Sequence, residues 1–292
     1  MDRKEPISGE DAGLFNCPLL GGDTVSTPGP AMISITAFGR VPSGKMVHRS
    51  GAGPGDRIVV TGTIGDAALG LDILKGGAVA KALAADAAAS EMLVGRYRVP
   101  QPRNALAQAV RDHASAAMDV SDGLAGDLAK LCTASAVSAV IDAPGIPLSA
   151  PASALLARGT VGIGTLIGGG DDYEILCAIP ENRFDAFAAV AGQAGVAVAS
   201  IGTVIAGSSA PQFLDAQGRE IALKHLSYSH FWNSGKKRRS GRKYLPKSTV
   251  YALRSVAQEM RFWHGPADLR PPFWAGQAFF LCVRRSRGEA WG

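Results

Sequence analysis

The sequence has few of the features that mark the common classes of metal-binding, disulfide-rich and nucleotide-binding proteins. Its four cysteines, Cys17, Cys132, Cys177 and Cys282, are scattered and form no C-x-x-C pair, which argues against a zinc site or a disulfide framework. The five histidines show no metal-ligand spacing. Neither a G-x-x-x-x-G-K-[ST] nor a G-x-S-x-G motif occurs, so the sequence indicates neither a P-loop enzyme nor an α/β-hydrolase.

Signals for export and membrane insertion are also lacking. The N-terminus, MDRKEPISGED, is polar, unlike a signal peptide. Residues 186–214 carry no charge, but their apolar content is mostly Ala and Val, interrupted by Gly, Gln, Ser and Pro. A helix followed by a buried strand explains this stretch better than a membrane span. Together with the scattered cysteines, this predicts a cytoplasmic protein with reduced thiols and no membrane association.

Charge is distributed unevenly along the chain. Up to Trp232 there are 17 Lys and Arg against 22 Asp and Glu, whereas residues 233–292 contain 13 basic residues against 3 acidic ones. All four tryptophans lie from residue 232 onward. Such a change in composition at one point predicts a boundary. We expect residues 233–292 to be a basic, Trp-rich tail that is poorly ordered or loosely attached.

The body of the chain alternates between strand and helix patterns. Runs rich in β-branched residues predict strands, and segments with helical apolar spacing or strong helix formers predict helices. The predicted strands are 32–39, 57–62, 116–121, 139–143 and 196–205, and residues 212–223 predict a hairpin with its turn at DAQG. The predicted helices are 66–77, 80–97, 102–113, 122–135 and 181–195. This order indicates an α/β (α+β) fold with a mixed sheet flanked by helices.

Three short motifs combine glycines with carboxylates: GGDT at 21–24, DVSDG at 119–123 and GGDD at 169–172. Asp119 and Asp122 stand three residues apart across a predicted strand-to-helix turn, with Ser121 between them. Such a turn suits a metal–phosphate complex, because Mg²⁺ prefers oxygen ligands and free helix N–H groups favour anions. The alternatives are an N-cap at DVSDG and plain turns at the other two motifs.

Two arginines are candidates for gripping a phosphate group. Arg49 precedes the glycine-rich segment 51–56, and Arg103 follows VPQP at a predicted helix start. A guanidinium can bind phosphate through two parallel hydrogen bonds. The segment GAGPGD is not a dinucleotide fingerprint, since it precedes a predicted strand instead of following one. The alternative for Arg49 is an exposed loop arginine.

These motifs, in this order, resemble the thiamine-monophosphate kinase family of the aminoimidazole-ribonucleotide-synthetase-like superfamily. The resemblance rests on CPLLGGDT, PGP, ISITAFG, RSGAGPGDRIVVTGTIGDAALGL, RYRVPQPR, DVSDGL, GGGDDYEIL and YSHF, and it runs from about Cys17 to Phe231. It implies Mg²⁺-dependent transfer of a phosphoryl group from ATP, as co-substrate, to thiamine phosphate, giving thiamine diphosphate. It also implies a homodimer for the full-length family.

The family's binding residues carry over to positions of this sequence, and the resemblance assigns no individual catalytic residue. The implied ATP-binding positions are Gly22, Asp23, Arg49 and Ser121. The implied metal ligands are Asp23, Asp119 and Asp122. The implied contacts with thiamine phosphate are Glu174 and Phe231, with Asp171 and Asp172 shaping the loop that presents Glu174.

The resemblance also implies a division of the chain. Residues 1–50 correspond to a truncated N-terminal ATP-binding half-domain, 51–232 to the C-terminal α/β domain, and 233–292 have no family counterpart. The family's DDAA-type acidic motif does not precede Cys17, so we expect some metal ligands to be missing and this chain alone to bind ligands weakly.

Two other functions remain as alternatives. One is a different ATP-using reaction of the same superfamily, such as that of an aminoimidazole ribonucleotide synthetase. The other is nucleic-acid binding through the basic run 236–247, which contains one aromatic residue, Tyr244, and therefore has little on which bases could stack. A solvated tail is the expectation for that run.

Overall fold

The computed structural model describes residues 9–23, 25–26, 32–223, 226–227 and 283–284. The chain divides into two compact units, which are residues 1–22 with 43–230, and residues 23–42 with 231–292. The predicted domain boundaries at residues 50 and 232 stay predictions. Phe231 and the basic run 236–247, to which the sequence analysis assigned possible roles, lie outside the described residues.

The first unit contains a six-stranded sheet flanked by helices, which confirms the predicted fold class. Its strands are β2 (Arg57–Thr61), β3 (Ala116–Val120), β4 (Ser138–Asp142), β5 (Glu174–Ile179), β6 (Val198–Ile205) and β7 (Gln212–Leu214). Its helices are α1 (Gly9–Leu14), α2 (Asp66–Leu74), α3 (Ala78–Ala82), α4 (Ala87–Arg98), α5 (Ala107–His113), α6 (Leu124–Ser135), α7 (Ala150–Ala157), α8 (Ile163–Gly168) and α9 (Phe184–Gln193).

The strand order is β3-β5-β2-β6-β4-β7. Every neighbouring pair is antiparallel except β4 and β7, which are parallel. In β2, Ile58 and Val60 belong to one apolar cluster with α6, whereas Val59 belongs to a second cluster with α5 and α9. This alternation follows from the two-residue repeat of a strand, and it places core on both faces of the sheet.

The described part of the second unit contains two short strands, β1 (Met32–Ile33) and β8 (Val283–Arg284). They pair antiparallel, with Met32 opposite Arg284. The predicted strand 32–39 is therefore wrong in length, since residues 34–40 have no regular secondary structure and are exposed.

Several element predictions need correction. The predicted helix 80–97 is two helices, because Asp86 accepts a hydrogen bond from the backbone N–H of Ala89 at 3.0 Å and so starts α4 anew. The predicted helix 102–113 begins with a short 3₁₀ turn at Asn104–Leu106. Helix α6 begins at Leu124 rather than at Asp122. Among the described residues, no helix has the length and apolarity needed to cross a membrane.

Candidate phosphate and metal site

The DVSDG motif forms the turn between β3 and α6, and a buried carboxylate fixes its shape. Asp127, in the first turn of α6, has no exposed surface. Its Oδ2 accepts hydrogen bonds from the backbone N–H groups of Ser121 and Asp122, both at 2.9 Å. Sequence analysis missed Asp127, although an acidic residue in the first turn of a helix is a known signal for such a role.

Asp122 already has a cationic partner. The Lys130 Nζ atom lies 2.5 Å from Asp122 Oδ2 and 2.8 Å from Asp127 Oδ1. About two fifths of the Asp122 side chain remains exposed, at 42%. A metal ion bound by Asp122 would have to share this carboxylate with the ammonium group or displace it.

Asp119, the other predicted metal ligand of this motif, is exposed near the end of β3. Together with Asp122 and the Ser121 hydroxyl, it provides oxygen donors only, which is the donor type that Mg²⁺ prefers. No group of three or more His, Cys, Asp or Glu side chains with metal-binding geometry occurs among the described residues. The donors near this turn therefore fit Mg²⁺ by type but form an incomplete ligand set.

The loop 169–174 is hydrogen-bonded to the DVSDG turn. The backbone N–H of Asp171 donates to the carbonyl oxygen of Ser121 at 2.9 Å, and that of Tyr173 donates to Val120 at 2.8 Å. The two segments also approach closely at Gly123, whose φ is +110° and where a Cβ atom would lie 2.9 Å from the carbonyl oxygen of Gly169. Only glycine tolerates both conditions. The structure thus brings together two of the three motifs that sequence analysis singled out.

Tyr173 lies where the charges of these motifs meet. Its φ is +51°, a backbone conformation that residues other than glycine seldom adopt. Burial raises the pKa of its hydroxyl, and the nearby carboxylates of Asp171, Asp119 and Asp122 raise it further. Three carboxylates therefore act on the same phenol, which marks an acidic rim around the turn.

The two adjacent aspartates of GGDD have different surroundings. Asp172 is buried, and its carboxylate accepts hydrogen bonds from the backbone N–H groups of Gly65, at 2.8 Å, and Ala67, at 3.2 Å. It thereby caps the N-terminus of α2 from a distant part of the chain. Burial raises the pKa of Asp172 from 3.8 to about 7, and the two backbone hydrogen bonds oppose the rise.

Glu174 is also buried, and its carboxylate is saturated with donors. The oxygens accept hydrogen bonds from Thr61 Oγ1 at 2.6 Å, from Arg96 Nη2 at 2.8 Å, and from Arg103 through Nε at 2.8 Å and Nη2 at 2.5 Å. The side chain has no exposed surface. A ligand that touches this carboxylate would have to displace one of these donors. Sequence analysis missed Arg96, whose partner lies 78 residues away along the chain.

The predicted nucleotide-binding residues outside these motifs are exposed where the structure describes them. Arg49 is exposed, and its carbonyl oxygen accepts a hydrogen bond from Ser135 Oγ at 3.3 Å. Gly22 is exposed in the first unit, and Asp23 is exposed in the second. Phe231 lies outside the described residues.

Comparison with known proteins agrees with these motifs. Residues 53–211, more than half of the chain, match the family "AIR synthase related protein, C-terminal domain". A thiamine-monophosphate kinase from Caulobacter vibrioides is 42% identical over 224 residues, covering 76% of this chain and 61% of that protein. The chain therefore spans less than two thirds of the length of this relative.

Solved structures of thiamine-monophosphate kinases also match this chain. The thiamine-monophosphate kinase of Stenotrophomonas maltophilia K279a is 33% identical, with a TM-score of 0.53, covering 62% of this chain and 56% of that one. The structure of AaThiL complexed with AMPPCP and TMP is 27% identical, with a TM-score of 0.50, covering 63% of this chain and 54% of that one. On its family match, its fold and its motifs, this chain belongs to the AIR synthase related proteins, of which it carries the C-terminal domain.

Proposed function

We propose that the chain carries out, as part of a thiamine-monophosphate kinase, the ATP- and Mg²⁺-dependent phosphorylation of thiamine phosphate to thiamine diphosphate. The similarity to curated kinases of that name supports the proposal, as does the similarity to a structure that binds AMPPCP and TMP. A cytoplasmic location belongs to the same proposal, because it accompanies the family resemblance, and a homodimer is proposed for the full-length enzyme only.

The close packing of the DVSDG turn against loop 169–174 is the main structural support for this proposal. The hydrogen bond from Tyr173 to Val120 continues the pairing of β3 with β5, in which Val120 lies opposite Glu174. Exposed carboxylates that suit a cation and guanidinium groups that suit an anion therefore occur at the same end of two neighbouring strands. Phosphoryl transfer needs this combination, because it depends mainly on positioning and charge neutralisation.

The proposed roles follow the chemistry of the side chains. Asp119 and Asp122 would hold Mg²⁺, which supplies charge neutralisation on the phosphate oxygens when bound. The metal-binding role of Asp23 stays a prediction of the family resemblance. Ser121 lies between two of these ligands, where its hydroxyl can donate to a nucleotide phosphate. Gly22 and Arg49 complete the proposed nucleotide contacts.

No residue is proposed as a strong catalytic base. The acceptor, thiamine phosphate, attacks through an oxygen of a phosphate group that is already anionic. The family resemblance predicts substrate contacts at Glu174 and Phe231; because four donors already occupy the Glu174 carboxylate, its proposed effect on the substrate is indirect, through the arginines that it binds. The side chains of this protein would thus bind and orient two anionic reactants rather than remove a proton.

The test is product formation by the full chain with thiamine phosphate and Mg-ATP, followed as thiamine diphosphate by chromatography. We expect Asp119→Asn and Asp122→Asn to lower the rate at least about tenfold, as loss of one charged contact does. The matched control is Asp112→Asn, an exposed aspartate in α5 with the same change in charge. Equal rates in all three variants would contradict the proposed metal ligands.

The family match keeps the aminoimidazole ribonucleotide synthetase reaction as a second candidate, because the matching family is named for AIR synthase. Thermal denaturation with each ligand separates the two. Stabilisation by thiamine phosphate and not by an aminoimidazole precursor supports the kinase, and the reverse supports the synthetase. The nucleic-acid alternative concerns residues 236–247, which lie outside the described part of the chain, and it stays a prediction.

A further inference from the structure

Glu174 holds two guanidinium groups in place more tightly than an exposed ion pair could. It accepts all three of the arginine hydrogen bonds described above, and its own side chain has no exposed surface. Gly62 makes room for the cluster, since a Cβ atom there would lie 2.1 Å from Glu174 Oε1 and 2.7 Å from Arg103 Nη2. A carboxylate with four donors has little capacity left for a ligand.

The cluster has more positive than negative charge. One carboxylate, Glu174, faces two guanidinium groups, which carry a charge under all ordinary conditions. Asp172 directs its carboxylate to the backbone of α2, and its carbonyl oxygen accepts a hydrogen bond from Arg96 at 3.4 Å; burial raises the pKa of the Asp172 carboxyl group, and the charge of Arg96 lowers it. In the part of the chain that the structure describes, two guanidinium groups thus share the single carboxylate of Glu174 in ion pairs.

Both arginines also keep donors that no described residue accepts. Arg96 uses only Nη2, which leaves Nε and Nη1, and Arg103 leaves Nη1. The side chains are 15% and 22% exposed, so neither arginine is completely enclosed by the protein. A fixed, partly desolvated guanidinium pair with spare donors is suited to a phosphate group, whose oxygens accept bidentate hydrogen bonds.

The position of the cluster agrees with this chemistry. Glu174 begins β5 directly opposite Val120, the last residue of β3, and Ser121 and Asp122 follow at once. An anion held by Arg96 and Arg103 would thus lie beside the turn proposed to hold the metal ion.

We propose that Arg96 and Arg103 form a subsite for a phosphate group and that Glu174 is a positioning residue which orients them. Whether the bound phosphate group belongs to thiamine phosphate or to the nucleotide is a question that rests on the proposed function. Binding of phosphate at this subsite is independent of the proposed function and can be measured without turnover.

The experiment measures binding by calorimetry to the full chain, with inorganic phosphate, thiamine phosphate, thiamine and AMPPCP as probes. The variants are Arg96→Gln and Arg103→Gln, and the control is Arg98→Gln, which lies in the same turn of α4 but is exposed. We expect each test variant to weaken inorganic phosphate binding about tenfold or more, as loss of a charge-assisted hydrogen bond does. The control is expected to change it less than twofold, and thiamine, which lacks the phosphate, to bind all variants equally.

The other two probes identify the source of the phosphate group. A loss confined to thiamine phosphate assigns the subsite to the acceptor, and a loss confined to AMPPCP assigns it to the nucleotide. Phosphate affinities equal to that of the unmodified chain in both test variants would overturn the subsite, even if the chain proved to be an active kinase. Retained phosphate binding without any kinase activity would overturn the proposed function alone.

Two further measurements separate positioning from general stability. Arg103→Lys keeps the charge but loses the fork, so it should recover part of the phosphate affinity that Arg103→Gln loses. Glu174→Gln should weaken phosphate binding several-fold while thiamine binding is unchanged. If the variants do not fold, phenylglyoxal modification of the unaltered chain gives the answer, because phosphate should protect Arg96 and Arg103 but not Arg98. Equal protection of all three, or of none, would overturn the proposal.

Discussion

Replacing Asp172 by asparagine should change how stability depends on pH. Asp172 is buried, and burial raises its pKa from 3.8 to about 7, with the two hydrogen bonds from Gly65 and Ala67 opposing the rise. Between pH 4 and 7 the folded chain therefore keeps a proton at this carboxyl group that the unfolded chain has released. By linkage, this group lowers the free energy of unfolding as pH rises, by about 1.4 kcal/mol per pH unit, and the fall stops above pH 7.

The total effect is worked from the same shift. A shift of about three pKa units corresponds to about 4 kcal/mol in the free energy of unfolding. This group therefore makes the chain about 4 kcal/mol more stable below pH 4 than above pH 7. Asparagine has no such titration, and it keeps one acceptor for the N-terminus of α2. The lost second acceptor costs about 1 kcal/mol at every pH.

The assay is urea unfolding followed by far-ultraviolet circular dichroism from pH 4.5 to 8.5. Asp172→Asn should be slightly less stable than the unaltered chain at pH 4.5 and more stable at pH 8, with the difference rising between those values. Asp112→Asn, the same substitution at an exposed site, is the control with which this difference is compared. If the Asp172→Asn difference did not change with pH, the reasoning about burial at this site would be refuted.

Two other predictions concern the packing of the core. Gly62 has a φ of +58°, and a Cβ atom there would overlap Glu174, whereas Gly218 has a φ of +74° and no atom within 4 Å of an added Cβ. Gly62→Ala should therefore destabilise the chain by about 1–3 kcal/mol more than the control Gly218→Ala. Equal unfolding midpoints for the two variants would contradict this. Burial raises the pKa of Cys132 to about 11 and of Cys177 to about 12. In iodoacetamide labelling at pH 8, followed by peptide mapping, the exposed Cys17 should therefore react, and the two buried thiols should react only when the chain unfolds.

Local sequence patterns predicted much of the sheet because its strands are short and rich in buried β-branched residues. The predicted strand 57–62 corresponds to β2 (Arg57–Thr61). The uncharged stretch 186–214 contains the expected helix and strand, α9 and β6. In each case the information lies within ten residues, which is the range over which periodicity acts.

Other elements were missed although the sequence contains a local signal. The break at Asp86 follows from its side-chain cap on α4, and Ser149 caps α7 in the same way, with a proline in the first turn. Both residues are preferred at helix starts. The apolar run before GGDD is the helix α8, because a short apolar run does not distinguish a helix from a strand by period alone.

The charged network around Glu174 had no local signal. Its arginines come from the end of α4 and the following loop, and they reach the carboxylate only because β5 lies between β3 and β2 in the sheet. The family resemblance implied Glu174 as a substrate contact, and the sequence itself indicated Arg103 as a candidate phosphate ligand. It did not reveal that one holds the other, since that depends on contacts across more than 70 residues.

The most direct test of the proposed function is the transfer of label from ATP carrying a labelled γ-phosphate. The full chain is incubated with this ATP, Mg²⁺ and thiamine phosphate, and the products are separated and counted. The account predicts that the label appears in thiamine diphosphate and depends on both Mg²⁺ and thiamine phosphate. Label found only in inorganic phosphate, at a rate unchanged by thiamine phosphate, would contradict it.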